Sequence, residues 1–205
     1  MTNSTVIVDY GMANLRSVQK AFEAVGANAE ISSDPKRIAA ADRVVLPGVG
    51  AFRDAIARLR ETGLDQTIPE FIATGRPFLG ICLGLQMVFT KSMEDGEHRG
   101  LGIFPGTVVR FPSHPGLKVP HMGWNELSFQ KEGCPLFRGI AVGSHVYFVH
   151  GYYAVPDDSS IIATTTTYHE PFCSAIWKDN VVATQFHPEK SQAVGLKMLE
   201  NFSKW

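Results

Sequence analysis

The chain has 205 residues, 44% of them hydrophobic and 19% charged, with a formal net charge of −1. That length suits one domain with a substantial core, and the near-neutral balance argues against nucleic acid or an anionic membrane surface as a partner. Three scattered cysteines (82, 134 and 173) form neither a disulfide framework nor a zinc spacing, so a reducing, cytoplasmic compartment is expected and no metal. The N-terminus lacks a basic region, Asp9 interrupts its apolar run, and no apolar stretch nears the ~18 residues of a membrane span. No repeat or linker divides the chain, and a single domain over residues 1–205 is expected.

In chain order, Thr5–Tyr10 is apolar on both faces and reads as a buried parallel strand. A helix follows from Asn14, with Leu15, Val18, Ala21, Phe22 and Val25 at helical spacing, until Gly26 stops it. Ala29–Ser32 is a short strand, Pro35–Ala41 a short helix and Arg43–Leu46 a third strand, ending in the turn Pro47-Gly-Val-Gly50. Phe52–Arg60 and Leu64–Ala73 read as helices. A strand from Pro77 to Gly80 then leads through Cys82 and Gly84 into an apolar, helix-like run, Leu85–Phe89. This alternation predicts a doubly wound α/β sheet.

The second half is richer in β-branched and aromatic residues, with Pro and Gly between them. Strands are expected at Thr107–Phe111, Asn125–Ser128, Val146–His150, Ile161–Thr165, Ser174–Trp177 and Val181–Phe186. A final helix over Gln192–Phe202 places Val194, Met198, Leu199 and Phe202 on one face. The expectation is a mixed sheet with the last helix packed on it.

Ligands of open α/β sheets bind beyond the carboxyl ends of the strands. Three turns fall there: Pro47–Gly50, Gly80–Gly84 and Thr184–Glu189. Cys82 sits where a strand bends into a helix, between Gly80 and Gly84, and a helix N-terminus favours thiolate. Alone it reads more readily as a small buried hydrophobe. His187 and Glu189, at i and i+2 around Pro188, can share one side of an extended segment. Cys82, His187 and Glu189 are therefore a candidate nucleophile, base and orienting group.

Gly80-Ile-Cys-Leu-Gly-Leu-Gln86 together with Gln185-Phe-His-Pro-Glu189 resembles the paired signature of class I, triad-type glutamine amidotransferases. Asp9-Tyr-Gly11 with Asn14-Leu15, Leu46–Phe52, Pro120-His-Met-Gly-Trp-Asn125, Tyr147–His150 and His187–Ser191 resemble the glutaminase subunits of imidazole glycerol phosphate synthases, enzymes of histidine biosynthesis. The likeness spans essentially the whole chain. Ala13 stands where that family usually has glycine, and Gly151 where a hydroxyl residue is common.

The resemblance implies a three-layer, flavodoxin-like mixed sheet and hydrolysis of glutamine to glutamate and ammonia without a cofactor. By the same resemblance Cys82, His187 and Glu189 form the triad. The N–H groups of Val49 and Leu83 stabilise the oxyanion. Gln86 and Glu94 hold the α-end of glutamine, with main chain near Gly50, Gly151 and Tyr152. It further implies a (β/α)8-barrel cyclase as heterodimer partner, met by His121, Met122, Trp124, Asn125, Tyr147 and Lys190, and ammonia passing to it through a dry channel. Glutaminase activity is then expected to be nearly silent in the isolated subunit, with the Gly48–Val49 peptide turned the wrong way.

Other classes share parts of this pattern. A glutaminase for pyridoxal phosphate or anthranilate synthesis would carry the same triad. A cysteine peptidase or chaperone-like relative has the elbow cysteine without the late His-Pro-Glu. A non-catalytic binding module would not be labelled at Cys82 by an electrophilic glutamine analogue.

Overall fold

The computed structural model describes residues 4–205. Its elements in order are β1 (Thr5–Val8), α1 (Leu15–Ala24), β2 (Ala29–Ser32), α2 (Pro35–Ala39), β3 (Arg43–Gly48), α3 (Phe52–Glu61), α4 (Leu64–Ala73), β4 (Phe78–Cys82) and α5 (Leu83–Met87). There follow β5 (Phe89–Ser92), β6 (His98–Arg99), β7 (Phe104–Arg110), β8 (His121–Glu126), β9 (Ser128–Phe129), β10 (His145–His150) and β11 (Tyr152–Pro156). The chain ends in β12 (Ile162–Tyr168), β13 (Glu170–Lys178), β14 (Val181–Thr184) and α6 (Gln192–Ser203).

The main sheet has eight strands in the order β2-β1-β3-β4-β14-β13-β12-β9. Strands β2, β1, β3, β4 and β14 run parallel; β13, β12 and β9 continue antiparallel. β1, β3, β4 and β14 are buried at every residue. Their side chains alternate between two cores, as a period of two demands. Val6, Val8, Leu46 and Phe78 face one layer, with Phe52, Ile56, Ile68 and Phe71 of α3 and α4. Ile7, Val45, Leu79 and Ile81 face the other, where Phe22 of α1 lies 6.3 Å from Phe202 of α6. Covering both faces with helices is what permits an uninterrupted parallel sheet. The doubly wound, three-layer mixed fold expected from the sequence is present.

Several features were not expected. The helix placed at Leu85–Phe89 begins earlier and ends at Met87, and Phe89 opens strand β5. This strand belongs to a second sheet, β11-β7-β5-β6, and β8 pairs with β10 in a separate two-stranded ribbon. Apolar Phe89 serves a helix or a strand equally well, and only its tertiary neighbours decide. The strand expected at Asn125–Ser128 is split: β8 ends at Glu126, Leu127 turns into the core, and β9 joins the main sheet. Ile161 belongs to the turn before β12, and β14 stops at Thr184, two residues short of the expected end.

Candidate active site

The parallel register aligns the three turns at one sheet edge. Gly48 of β3 pairs with Cys82 of β4, and Ile81 pairs with Thr184 of β14. His187 therefore leaves the sheet beside the cysteine, although their stretches are about a hundred positions apart.

Cys82 itself carries the strain of the bend, at φ 55° and ψ −106°. Such a backbone costs of order 1–3 kcal/mol in a non-glycine residue and persists only where its surroundings fix it. The flanking glycines sit where a Cβ would clash: neither has positive φ, and both permit close packing. A Cβ on Gly84 would lie 1.9 Å from the Leu46 carbonyl oxygen, and one on Gly80 would lie 2.9 Å from Ala183 Cβ and from the Gly84 oxygen. The helix start is thereby pressed onto β3 and β14, which leaves the sulfur at the corner 7% exposed.

His187 is held from its backbone. Its N–H donates to the Tyr147 carbonyl at 3.0 Å, and its carbonyl accepts from Ser191 Oγ at 2.6 Å. Ser191 Oγ also accepts the Tyr147 N–H at 3.0 Å. Nδ1 of His187 and Oε1 of Glu189 are 2.8 Å apart, with both side chains 2% exposed. Nε2 of His187 is buried and makes no hydrogen bond of ordinary geometry among the described residues. Burial opposes charging of this imidazole, but the facing Cys82 and then Glu189 outweigh it, and the His187 pKa is pushed up to about 10. The imidazolium is the form at neutral pH, ready to give a proton. Buried Tyr10 packs beside the turn after β3: its hydroxyl donates to the Pro47 carbonyl at 3.1 Å, and burial, then the nearby Cys82, raise its pKa.

These groups open into a cavity of about 180 Å³ lined by Val49, Gly50, Cys82, Leu83, Gln86, Glu94, His150, Gly151, Tyr152, His187 and Lys190. All the residues expected to bind glutamine or its oxyanion thus share one pocket with Cys82 and His187. Glu189 stands behind His187, outside the lining. Glu94 has a second task, because its Oε2 accepts the Phe52 N–H at 2.7 Å at the start of α3. The Val49 N–H is already engaged, donating to the Met12 carbonyl at 3.3 Å.

Of the residues expected at a partner interface, Met122 (63% exposed) and Trp124 (46%) stand on the outer face of β8. Half-buried Tyr147 lies across the pair, its ring edge-on to Trp124 at 6.1 Å. Lys190 is exposed at the pocket lip, and Asn125 is half-buried. His121 is a correction. Alternation along β8 turns it to the opposite face from Met122 and Trp124, where it is buried between Phe148 and Tyr168. Sequence reasoning passed over His150, Gln185 and Tyr10. Each was quoted within a motif, and the available signal was a polar residue in an otherwise buried strand end.

A family model for "Glutamine amidotransferase class-I" matches residues 6–205. The chain is 57% identical over 202 residues to "Imidazole glycerol phosphate synthase subunit HisH" of Syntrophotalea carbinolica, covering 96% of this chain and 98% of the relative. It is 56% identical over 203 residues to the protein of the same name from Geobacter sulfurreducens, with 97% of each covered. Among solved structures, a chain in the structure of PurLQS from Thermotoga maritima superposes with a TM-score of 0.74 at 18% identity, covering 100% of this chain and 97% of that one. At that identity the likeness speaks for the fold alone.

Proposed function

Because the chain belongs to the class-I glutamine amidotransferase family, we propose that it acts as the glutaminase subunit of an imidazole glycerol phosphate synthase, one amidotransferase domain spanning residues 1–205. The observation that carries the reading is a strained cysteine and a Glu-bound imidazole lining one cavity.

The Cys82 sulfur attacks the side-chain carboxamide carbon of glutamine, forming a C–S bond and a tetrahedral oxyanion. The His187 imidazolium gives its proton to the nitrogen, and ammonia leaves as the C–N bond breaks. His187, now neutral, takes a proton from water as the water attacks the thioester carbon. Glutamate departs and the thiolate returns. Glu189 keeps Nδ1 protonated and the ring oriented throughout.

The oxyanion needs donors aimed at it beforehand. The Leu83 N–H, first in α5, is one. The Val49 N–H is the second, once it leaves the Met12 carbonyl. That engagement supports a resting state short of one donor, whose loss typically lowers rates by ~10²–10³. Gln86, Glu94, Gly50, Gly151 and Tyr152 surround the α-amino and α-carboxylate ends.

The relatives are named as a subunit of a synthase, which fits a chain that works in a complex with a cyclase subunit. We take the partner to be a (β/α)8-barrel that receives ammonia through a dry passage and makes imidazole glycerol phosphate and aminoimidazole carboxamide ribotide. Exposed Trp124 and Met122 suit a docking face, since large apolar and aromatic side chains dominate such contacts. The test is glutamate release with and without the cyclase and its ligand, in wild type and Cys82→Ala. Turnover is expected only in wild type and strongly raised by the liganded cyclase. Retained turnover in the variant would overturn the mechanism, and full activity of the isolated subunit would overturn the coupling.

A further inference from the structure

The pocket wall contains buried imidazoles and amides that the reaction above does not consume. His150 Nδ1 lies 2.8 Å from the Tyr152 carbonyl oxygen, and His150 Nε2 lies 3.1 Å from His121 Nδ1. His121 Nε2 lies 3.2 Å from Asn125 Nδ2. On the other side of the same carbonyl, Gln86 Nε2 donates at 3.0 Å and gives its second proton to Gln185 Oε1 at 3.1 Å. Gln185 Nε2 then faces Cys82 Sγ at 3.7 Å. The contacts make one unbroken line from strand β8 to the sulfur.

Its direction follows from what each group is able to donate. A carbonyl only accepts, so His150 carries its proton on Nδ1 and leaves Nε2 bare. Bare Nε2 requires a donor, so His121 is also protonated on Nδ1. His121 Nε2 is then bare and accepts from Asn125, whose amide donates as well to the Thr167 carbonyl at 2.9 Å. Burial lowers the His121 pKa to about 4 and that of His150 to about 3, so both rings are neutral at pH 7 and the tautomers hold.

We infer that His121 and His150 are positioning residues for glutamine hydrolysis: their locked line fixes the Tyr152 carbonyl and, through Gln86 and Gln185, the amide that faces the nucleophile. The inference rests on the reading of Gln86 and Tyr152 as part of the glutamine site. A purely packing role is the competing account. His121 stacks on Phe148 at 4.8 Å and on Tyr168 at 4.0 Å, and His150 lies 5.2 Å from Phe111 and 5.1 Å from Phe172. Phenylalanine satisfies packing and breaks the line, so it separates the two. The outer end, Asn125, shares the His121 face of β8, opposite the exposed Met122 and Trp124.

The kinetic test uses the complex with the cyclase and its ligand. His150→Phe takes one donor from the Tyr152 carbonyl and strands the His121 proton. The expected loss in kcat/KM is about tenfold, equivalent to about 1.4 kcal/mol, carried mainly by a higher KM for glutamine. His121→Phe acts in the same sense. His150→Asn returns an N–H donor near the lost Nδ1 and recovers activity to within about threefold. Wild-type kinetics in both Phe variants, or an Asn variant worse than Phe, would overturn the inference. A second measurement needs no variant and no turnover: 15N shifts of the two imidazoles in the wild-type protein at pH 7. Both are expected neutral and protonated on Nδ1, and an Nε2-protonated or charged ring at either position refutes the line. Wild-type enzyme that never hydrolyses glutamine would instead overturn the functional reading, and with it the kinetic role, while the spectra still report the line itself.

Discussion

Replacing Glu189 with Gln keeps the size and one hydrogen-bonding edge of the side chain but removes the charge facing His187 at 2.8 Å. The His187 pKa rises from 6.5 to about 10, a difference of about 5 kcal/mol at ~1.36 kcal/mol per pH unit. Burial works against that rise, and Cys82 supplies more of the attraction than Glu189. The carboxylate therefore accounts for about 2 kcal/mol, in line with a hydrogen bond to a charged group. Its loss should lower kcat by about 30-fold and shift the alkaline limb of the rate profile toward acid by about 1.5 pH units. The stability consequence has a definite sign. The pKa is raised on folding, so the stabilisation is fully present below about 6.5 and is lost as pH rises through about 10. In Glu189→Gln that window should narrow from its alkaline side. Glutamate release by the complex between about pH 6 and 10 measures the limb, and denaturant midpoints over the same range measure the window. An unchanged alkaline limb with kcat within twofold of wild type would refute the reasoning.

Gly84→Ala should destabilise the protein by about 1–3 kcal/mol, because its Cβ would meet the Leu46 oxygen at 1.9 Å; an unchanged denaturant midpoint would contradict the close approach of α5 to β3. Glu94→Ala should cost about 1 kcal/mol of stability by uncapping α3, and raise the KM for glutamine. Glu94→Ala with wild-type KM but lowered stability would leave the residue a helix cap alone. Trp124→Ala should weaken cyclase binding by about 2 kcal/mol while leaving the fold intact, since the ring stands 46% exposed; calorimetric titration of the two subunits decides it. Tyr10→Phe should loosen Pro47 by removing the hydrogen bond to its carbonyl, read as faster amide exchange at Gly48 and Val49, and equal exchange in both proteins would refute the anchoring.

Much of the architecture is legible in the chain because local pattern and tertiary role agree there. Thr5–Val8, Arg43–Leu46 and Val181–Thr184 are apolar at consecutive positions, as a strand covered on both sides must be. The candidate triad is legible because Cys82 ends such a strand and His187 follows three residues after the end of another. What the pattern does not show is side-chain direction within mixed-polarity ribbons. His121 was expected beside Met122 and Trp124 because the three are adjacent in sequence, yet adjacency in a strand means opposite faces. The second sheet was missed for a related reason. Phe89–Ser92 and Tyr152–Pro156 have ordinary strand composition but short runs, and their partners lie far along the chain. The engaged Val49 N–H is a matter of one peptide's orientation, which residue types alone do not encode.

Among the described residues β14 is the last strand along the chain, and yet it lies inside the sheet, between β4 and β13. A growing polypeptide must therefore hold an open seam next to the cysteine until residues 181–184 have been made. No amino-terminal fragment that stops before that strand contains His187, so under the proposed mechanism a truncated translation product releases no ammonia where no acceptor awaits it. The same late insertion makes assembly depend on distant pairings, which form slowly and leave the exposed edge of β4 open to sticking meanwhile.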